Sequence, residues 1–473
     1  MFIKFMVASS RIMFGIVLAS FLSACATTNN QKSINSRSAY VVLGENGVAV
    51  ARIVTEDSKC PSIRIDGNEV LMDVRAAPET VPLRPTLSAP ADSKPSVFNI
   101  LTCEKVIPQN TKSVILGGQS LPLPPAEIKR IVVIGDTGCR LKKSDNAYQE
   151  CNDANLYPFA QIANAAASWK PDLVVHVGDN LYRENACPAD KAGCAGSPWG
   201  YGWDAWQADF FGPGTSLLKA APWVMVRGNH ESCARAGQGW WRMLDPRPLL
   251  PGRDCNDAAN DDIGDYSDPY AVPLGNDAQL IILDTSNTVN GVIPSGNIRQ
   301  RKYRDMYGKL EKLSQQVSYN IVTNHHPILG FTANKNKNGE VSLLPGNQGI
   351  QSVFSAINPL IMPPRVNAML SGHVHLWQEV SFSTPHPTQF IAGFSGTMED
   401  VVPLPAQLPP GATPALGAVV EHFSSWISGF GFMTMERKGF NQWDVKVWDT
   451  KGHQVNSCSI EGSHSNCELG QIK

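Results

Sequence analysis

Asp172-Leu-Val-Val-His-Val-Gly-Asp179 combines a short run of mostly β-branched residues with a glycine and an acidic residue. A run of this length and composition predicts a buried β-strand. Four further segments have the same design and end in residue types that bind metals: Arg130–Asp136, Trp223–His230, Ile321–His325 and Ala368–His375. Because open α/β folds place their sites at the carboxyl ends of strands, the sequence predicts an α/β fold with one site at that edge.

The polar residues that end these segments form a ligand set for two metal ions. Two neighbouring cations need a shared anionic oxygen, and Asp179 is the natural bridging carboxylate. Asp136 would neutralise one ion, and Asn229 would offer a neutral oxygen to the other. Borderline-soft metal ions also bind imidazoles, which would fill the remaining coordination positions. The segments provide three of them: His325, His373 and His375.

Two details of spacing bear on how the ions would be held. His373 and His375 lie two residues apart, so on a regular strand both would face the same side. A turn just after Gly372 would instead let them bind different ions. Tyr182 stands three residues beyond Asp179, and its phenolate would be a hard ligand that suits a ferric ion.

The five segments contain the motifs Asp136-x-Gly138, Gly178-Asp179-x-x-Tyr182, Gly228-Asn229-His230-Glu231, Val322-x-x-His325 and Gly372-His373-x-His375. Taken together, these motifs resemble those of the purple acid phosphatases, a branch of the calcineurin-like metallophosphoesterase superfamily. Most of the superfamily carries histidine where Gly138 stands and lacks a tyrosine at the position of Tyr182, so both departures point to the purple branch. The resemblance covers roughly residues 128–450 and implies a four-layer α/β sandwich, with two mixed β-sheets flanked by helices.

The resemblance also implies a role for each residue. A first metal ion, Fe(III), would be held by Asp136, Asp179, Tyr182 and His375. A second ion, Zn, Mn or Fe(II), would be held by Asp179, Asn229, His325 and His373. His230 would be the catalytic residue that contacts the phosphate group and stabilises or protonates the leaving oxygen. The implied activity is the hydrolysis of phosphate monoesters by attack of a metal hydroxide on phosphorus.

Each motif taken alone has a simpler structural interpretation. An aspartate after a strand, such as Asp136, is often a helix N-cap or turn residue, and Asn229 is a frequent turn former. By chance alone, all of these residue types would have to occur in the order found in the family. We therefore favour the interpretation that they form one metal site. His326 is a candidate for substrate contact or for support of its neighbouring ligand, with a surface role as the alternative. Glu231 is a candidate for orienting His230 or for a local cap.

The first 24 residues have the pattern of an export signal. Lys4 and Arg11 precede an apolar stretch, Ile12–Leu22, that is too short to span a bilayer comfortably. It ends in Leu22-Ser-Ala-Cys25, which resembles the bacterial lipoprotein box, cut before a cysteine that receives lipid. We predict a lipid-anchored protein, with the outer membrane favoured by Ala26 and facing the periplasm or the cell surface. A plain signal peptide or uncleaved anchor is the alternative.

The cysteines agree with export. The chain has eleven, and setting Cys25 aside leaves an even number, which favours disulfides in an oxidising compartment. Proximity in sequence favours five pairs: Cys60 with Cys103, Cys139 with Cys151, Cys187 with Cys194, Cys233 with Cys255, and Cys458 with Cys467. Proximity does not fix connectivity. Thiolate ligation by Cys139 or Cys233 is a weaker alternative, because hard metal ions do not call for sulfur.

Five segments are expected along the chain. They are a signal peptide (1–24), a flexible tether (25–38), a small all-β domain (39–120), a metallophosphoesterase catalytic domain (121–450) and a disulfide-stapled tail (451–473). The β domain is inferred from short alternating runs without a helix-length pattern. In the catalytic domain, amphipathic helices are expected over Leu156–Trp169, Ile298–Val317 and Gly346–Ile357.

Composition narrows the range of partners. Basic and acidic residues number 40 and 42, for a net charge of −2, and there is no basic stripe of the kind that nucleic-acid binding needs. We expect a small-molecule phosphate ester as substrate, a membrane lipid anchor and no obligate protein partner. The metal ligands do not determine which type of phosphate ester is hydrolysed. A phosphodiesterase or nucleotidase on the same metal core is therefore the alternative. A non-catalytic surface lipoprotein is a further rival, but it would be favoured by a lost ligand, and none is lost.

Overall fold

The computed structural model describes residues 36–83, 90–398, 402, 404–405 and 407–472. The expected signal peptide, Cys25 and most of the expected tether lie outside these residues. Within the described ranges, no helix has both the length and the apolar character needed to cross a membrane.

Twenty-eight strands and seven α-helices make up the described fold. The strands are β1 (Ser36–Leu43), β2 (Ala49–Thr55), β3 (Ser62–Ile65), β4 (Asn68–Leu71), β5 (Asp73–Ala76), β6 (Glu79–Val81), β7 (Ser96–Phe98), β8 (Leu101–Val106), β9 (Val114–Leu116), β10 (Gln119–Ser120), β11 (Arg130–Ile134), β12 (Leu141–Lys142), β13 (Ala147–Tyr148), β14 (Leu173–His176), β15 (Trp223–Met225), β16 (Tyr270–Gly275), β17 (Ala278–Ile282), β18 (Tyr319–Thr323), β19 (Thr332–Lys335), β20 (Val341–Leu344), β21 (Val366–Ser371), β22 (Trp377–Phe382), β23 (Thr388–Ala392), β24 (Val420–Trp426), β25 (Gly431–Arg437), β26 (Gln442–Asp449), β27 (Gln454–Glu461) and β28 (His464–Cys467). The helices are α1 (Phe159–Ser168), α2 (Trp203–Trp206), α3 (Thr215–Ala220), α4 (Gly237–Met243), α5 (Asp261–Gly264), α6 (Ile298–Ser314) and α7 (Gln348–Phe354).

Two large mixed sheets dominate the molecule. The first has the strand order β28-β27-β26-β25-β11-β14-β15-β1-β2-β8-β5, and the second has the order β16-β17-β18-β21-β23-β22-β24. In the first sheet β11, β14 and β15 run parallel, and in the second β17, β18, β21 and β23 do. These parallel strands include all five segments that the sequence predicts to carry ligands. The expected pair of mixed sheets is confirmed.

Both faces of the central strands are covered. Along β11, Ile131 and Val133 face the second sheet, while Val132 and Ile134 pack towards α1 and α3, as the two-residue period of a strand requires. Helices α6 and α7 cover the outer face of the second sheet. Burial on both sides explains why these strands are continuous apolar runs, and each buried aliphatic side chain contributes about 1.5–3 kcal/mol. The layers are therefore helix, sheet, sheet, helix.

In its described residues, the segment before the catalytic strands contains β-strands and two short 3-10 turns but no α-helix, which agrees with the predicted all-β region. Strand β1 begins at Ser36 and pairs in parallel with β15, with Val42 opposite Trp223. Through β1 the strands β2, β8 and β5 continue the first sheet, whereas β10, β9, β3 and β4 form a separate sheet. At the other end of the first sheet, β27 and β28 add the C-terminal residues by antiparallel pairing.

Helix bounds differ slightly from the predicted ones. Helix α1 begins at Phe159, three residues later than expected, directly after Pro158. Proline has no N–H to donate and is compatible with a helix only in its first turn, so the helix does not extend upstream of it. Helix α6 ends at Ser314 instead of Val317.

Five disulfides link described cysteines, and they are the same five pairs that proximity favours in the sequence. They join Cys60 to Cys103, Cys139 to Cys151, Cys187 to Cys194, Cys233 to Cys255, and Cys458 to Cys467. Cys139 and Cys233 are thereby engaged in covalent bonds, which removes the thiolate-ligand alternative. Disulfides in this number are typical of an exported protein.

Candidate metal centre

The carboxyl ends of five parallel strands bring the predicted ligands together. Asp136 follows β11, Asp179 follows β14, and Asn229 follows β15. His325 and His373 follow β18 and β21 of the facing sheet. Three of these residues have a left-handed backbone, with φ of 54° at Asp136, 56° at Asp179 and 70° at His373. Such strain, outside glycine, persists only where the surrounding structure enforces it, and it is concentrated at functional sites.

Tyr182 is at the centre of the first predicted ligand set. Its hydroxyl oxygen lies 2.7 Å from Asp136 Oδ1, 2.8 Å from Asp179 Oδ2 and 2.9 Å from His375 Nε2. All four side chains are almost fully buried. The structure therefore brings together every residue of the first set.

Asn229 is at the centre of the second set. Its Oδ1 atom lies 3.0 Å from both His325 Nε2 and His373 Nδ1. His325 Nε2 is also 3.1 Å from Asp179 Oδ2, so Asp179 belongs to both sets. Strand β21 ends at Ser371, and the chain turns at His373. That turn separates His373 from His375, which contacts the first set.

Backbone carbonyls orient two of the imidazoles. The Nδ1 atom of His325 lies 2.9 Å from the Val177 carbonyl oxygen, and that of His375 lies 2.9 Å from the Met398 carbonyl oxygen. A ring that donates its Nδ1–H to a carbonyl presents the lone pair of Nε2, and this is the arrangement usual for metal-binding histidines. Both Nε2 atoms accordingly face the carboxylates.

Two glycines make this close approach possible. A Cβ atom at Gly228 would overlap the carboxylate and backbone of Asp179. Gly178 has φ of +106° and lies against the His325 ring, which a Cβ would also overlap. Only glycine allows both the close approach and the positive φ without strain. This explains why glycine precedes the candidate ligands Asp179 and Asn229.

The electrostatics of the site favour a cation. Burial, followed by the carboxylates of Asp136 and Asp179, raises the pKa of Tyr182 well above its usual range. Burial alone would lower the pKa of His325, but Asp179 raises it to about 9. Donor atoms of Asp136, Asp179 and His325 all lie within 4.8 Å of one another. Carboxylate, phenol, amide and imidazole donors without sulfur fit hard and borderline metal ions.

His230 lies beside this cluster in a polar pocket. Its backbone N–H donates to Asp179 Oδ1 over 2.8 Å, and its ring centroid lies 3.8 Å from that of Tyr182, with the two rings tilted by 37°. Ring atom Nδ1 is 3.1 Å from the Leu181 carbonyl oxygen, while Nε2 is 3.8 Å from Asp179 Oδ2. Burial and the neighbouring Arg235 hold the pKa of His230 well below its usual range. The ring is thus held with Nε2 towards the candidate ligands.

Sequence reasoning misses the two charged partners of His230. Glu184 Oε1 is 3.2 Å from His230 Nδ1, and Arg235 Nη2 contacts both ring nitrogens at 2.7 and 2.6 Å. Glu184 and Arg235 also form a buried ion pair with each other. The sequence gives one hint of their role, which is their position near two motifs. Glu184 stands five residues after Asp179, and Arg235 stands five residues after His230.

Glu231 supports the backbone of the site. Its carboxylate accepts from the backbone N–H groups of Asp179 at 3.0 Å, Asn180 at 2.7 Å and Gly228 at 3.0 Å. Burial and the nearby Asp179 raise the pKa of Glu231 to about 8. It therefore fixes the loops after β14 and β15 instead of contacting the His230 ring.

His326 lies next to His373 of the second ligand set, and Asp209 lies next to Tyr182 of the first. The His326 ring lies 4.2 Å from the His373 ring, and its backbone N–H donates to Thr285 Oγ1 over 3.1 Å. Asp209, another residue that sequence reasoning misses, accepts from the Tyr182 N–H over 2.8 Å and pairs with Arg183. Asp209 therefore anchors the loop that carries Tyr182.

The fold and these donor atoms define an α/β sandwich with a candidate metal centre. Residues 129–376 match the family model described as calcineurin-like phosphoesterase. The match covers just over half of the chain, and the chain belongs to this family. No curated protein sequence matches the chain at a significant level.

A solved structure supports the fold assignment. A purple acid phosphatase, PPD1, from yellow lupin (Lupinus luteus) seeds has a TM-score of 0.53 and 13% sequence identity, and the match covers 92% of this chain and 74% of the lupin chain. A structure of PhoD has a TM-score of 0.49 and 10% identity, with 93% of this chain and 94% of that chain covered. The family assignment makes the chain a metal-dependent phosphoesterase, a hydrolase acting on phosphoric esters.

Proposed function

We propose that the chain is an exported phosphatase that hydrolyses phosphate monoesters at a centre of two metal ions. One observation carries the proposal: the two donor sets around Tyr182 and Asn229 meet at the single carboxylate of Asp179. Asp136, Asp179, Tyr182 and His375 would hold one ion, and Asp179, Asn229, His325 and His373 the other.

When bound, the two ions would supply a nucleophile at neutral pH and offset charge on the phosphate oxygens. The side chains of the protein would position the ester and provide hydrogen-bond donors. His230, whose Nε2 lies 3.8 Å from Asp179 Oδ2, would stabilise the leaving oxygen of the ester by donating a hydrogen bond from Nε2 as a neutral ring. Glu184 and Arg235 would keep the His230 ring in place through contacts with its nitrogens.

A substrate panel on the purified full-length protein tests this function. We expect turnover of phosphate monoesters in the presence of metal and loss of that turnover after chelation. The matched comparison is a phosphodiester with the same leaving group, such as bis-p-nitrophenyl phosphate beside p-nitrophenyl phosphate. A consistent preference for the diester would replace this proposal with a phosphodiesterase.

Tyr182→Phe is expected to remove a visible absorption band. We propose that the ion bound by Tyr182 is ferric, because the phenol oxygen lies within 2.9 Å of three other donors and a phenolate is a hard ligand. Bound to Fe(III), it would give a charge-transfer band. Phenylalanine keeps the ring that packs on His230 at 3.8 Å, so turnover should change less than in Asp179→Asn. The measurement is a visible spectrum with metal analysis on the same sample.

Tyr157→Phe is the matched control for that experiment. Tyr157 is also buried, and its hydroxyl donates to the Asp209 carbonyl oxygen instead of facing the ligand set. The control should keep the colour. A colourless, iron-free and fully active wild-type protein would contradict the ferric assignment and leave manganese or zinc in its place.

Cys25→Ser is expected to abolish lipid attachment. We propose that the protein is a lipoprotein anchored to a bacterial membrane, on the basis of the Leu22-Ser-Ala-Cys25 box and of disulfides that fit an exported chain. Serine has no thiol to receive the lipid, so the variant should remain unprocessed or become soluble. Membrane fractionation and metabolic lipid labelling decide it, and an unchanged distribution with unchanged labelling would refute the anchor.

A further inference from the structure

A cavity of about 430 Å³ lies beside the candidate metal centre. His373 and Val374 form part of its wall, so the cavity opens directly onto the second ligand set. Much of the remaining described lining comes from residues 327–333, which follow His325 and His326 in the chain, and from residues 344–348. The hairpin of β19 and β20 joins these two stretches and contributes Thr332, Ala333 and Leu344 to the lining.

Hydrogen bonds hold the walls in place. The Asn347 N–H donates to the Pro327 carbonyl oxygen over 2.8 Å, and Asn347 Nδ2 donates to the Val289 carbonyl oxygen over 3.1 Å. On the other side, the Phe331 N–H donates to Gln378 Oε1 over 2.7 Å. Four separate segments are thereby joined, and the cavity is formed before any ligand arrives, as binding sites usually are.

The lining is uncharged but can form hydrogen bonds. Among the described residues that line the cavity, none is Asp, Glu, Lys or Arg. The side-chain amides of Asn290 and Gln348 are exposed, and no hydrogen bond joins either amide to another described residue. Leu344 and Val374 add apolar surface. An anionic group would lose hydration here without gaining a charged partner, whereas a neutral group with donors and acceptors would be satisfied.

We propose that this cavity binds the leaving group of the ester and selects neutral, hydrogen-bonding groups of nucleoside size over anionic ones. The inference rests on the proposed function: with the phosphate at the two ligand sets and its leaving oxygen at His230, the alcohol substituent would have to extend past His373 into the adjoining cavity. Paired amide donors and acceptors match the edge of a nucleobase, and the apolar wall matches its ring. A nucleoside monophosphate is therefore the substrate class that uses the whole cavity.

Wild-type selectivity is the first test. Adenosine 5′-monophosphate should be hydrolysed with a kcat/KM about tenfold or more above that of 3-phosphoglycerate, the range expected of a few pocket contacts. Glycerol 3-phosphate, which resembles 3-phosphoglycerate without its carboxylate, should also be preferred over it. Equal kcat/KM values for these three esters would overturn the selectivity.

Ala333→Trp tests the location. Ala333 lines the cavity from β19, so the indole should fill it and raise KM for adenosine 5′-monophosphate about tenfold. Inhibition by inorganic phosphate, which needs no leaving-group site, should stay unchanged. Asn334→Trp places the same bulk at the next residue of β19, which is exposed and does not line the cavity, and should leave KM unchanged. Equal effects of the two variants would overturn the proposal.

These outcomes distinguish failure of the cavity proposal from failure of the proposed phosphatase function. If the metal-loaded wild type hydrolyses no phosphate ester, the proposed function fails and the cavity proposal fails with it. If esters are hydrolysed without discrimination between neutral and anionic leaving groups, the cavity proposal alone is wrong and the phosphatase stands.

Discussion

Asp179→Asn is expected to lose both metal ions and to reduce monoester turnover about a thousandfold or more. The Asp179 carboxylate contacts Tyr182 of one ligand set and His325 of the other, and a neutral amide cannot bridge two cations. Loss of charge stabilisation of about 4 kcal/mol corresponds to this fall in rate. Elemental analysis and turnover on the same preparation provide the measurement.

The fold should survive that substitution. Asp179 has φ of 56°, and asparagine tolerates the left-handed region about as well as aspartate does. Asp172→Asn is the matched control, because Asp172 precedes the same strand at its other end and accepts from the backbone of Lys129 and Arg130. It should retain metals and activity. Full metal content in Asp179→Asn would show that this carboxylate is not the bridge.

His230→Ala is expected to keep both ions and to reduce turnover about a hundredfold, the scale of general acid or electrostatic assistance. His230 is outside both ligand sets, and only its backbone N–H bonds to Asp179. Metal analysis beside steady-state kinetics therefore separates its role from that of a ligand. His453→Ala, which removes an exposed histidine paired with Asp449, is the control and should change neither quantity. Near-normal turnover in His230→Ala would remove His230 from the mechanism.

The ligand residues could be predicted from sequence because each follows a strand in a fixed order. Asp136, Asp179 and Asn229 each come directly after an apolar run and a glycine, which is a local pattern. The sequence leaves two possibilities for His373 and His375: both face the same side of a regular strand, or a turn lets them bind different ions. The second depends on the turn at φ of 70°, for which the sequence offers Gly372 as a hint.

Contacts between distant segments could not be predicted in this way. Glu184 and Arg235 lie in separate loops, and an acid or an arginine in a loop carries no periodic signal. They become meaningful only when both reach the His230 ring. Likewise the pattern of β1 predicts a strand, but nothing local indicates that Val42 will lie opposite Trp223. Strand pairing over such separations is decided by the whole core.

The buried Asp209 illustrates the same limit for support of the site. Its oxygens receive the N–H groups of Tyr182 and Cys139, so it fixes the loop that carries the phenol. In sequence it lies within the aromatic-rich stretch that follows the second motif, where buried aromatic rings such as Trp206 and Phe210 dominate. The pattern there indicates packing and gives no sign that Asp209 supports the loop of Tyr182.

The number of metal ions bound by active, natively purified protein tests the central proposal most directly. Metal content, a visible spectrum and p-nitrophenyl phosphate turnover would be measured on one sample, before and after chelation and metal restoration. We predict two ions per chain, one of them iron with a visible band, and turnover that is lost with the metals and returns with them. Full phosphatase activity in protein without bound metal would contradict the proposal.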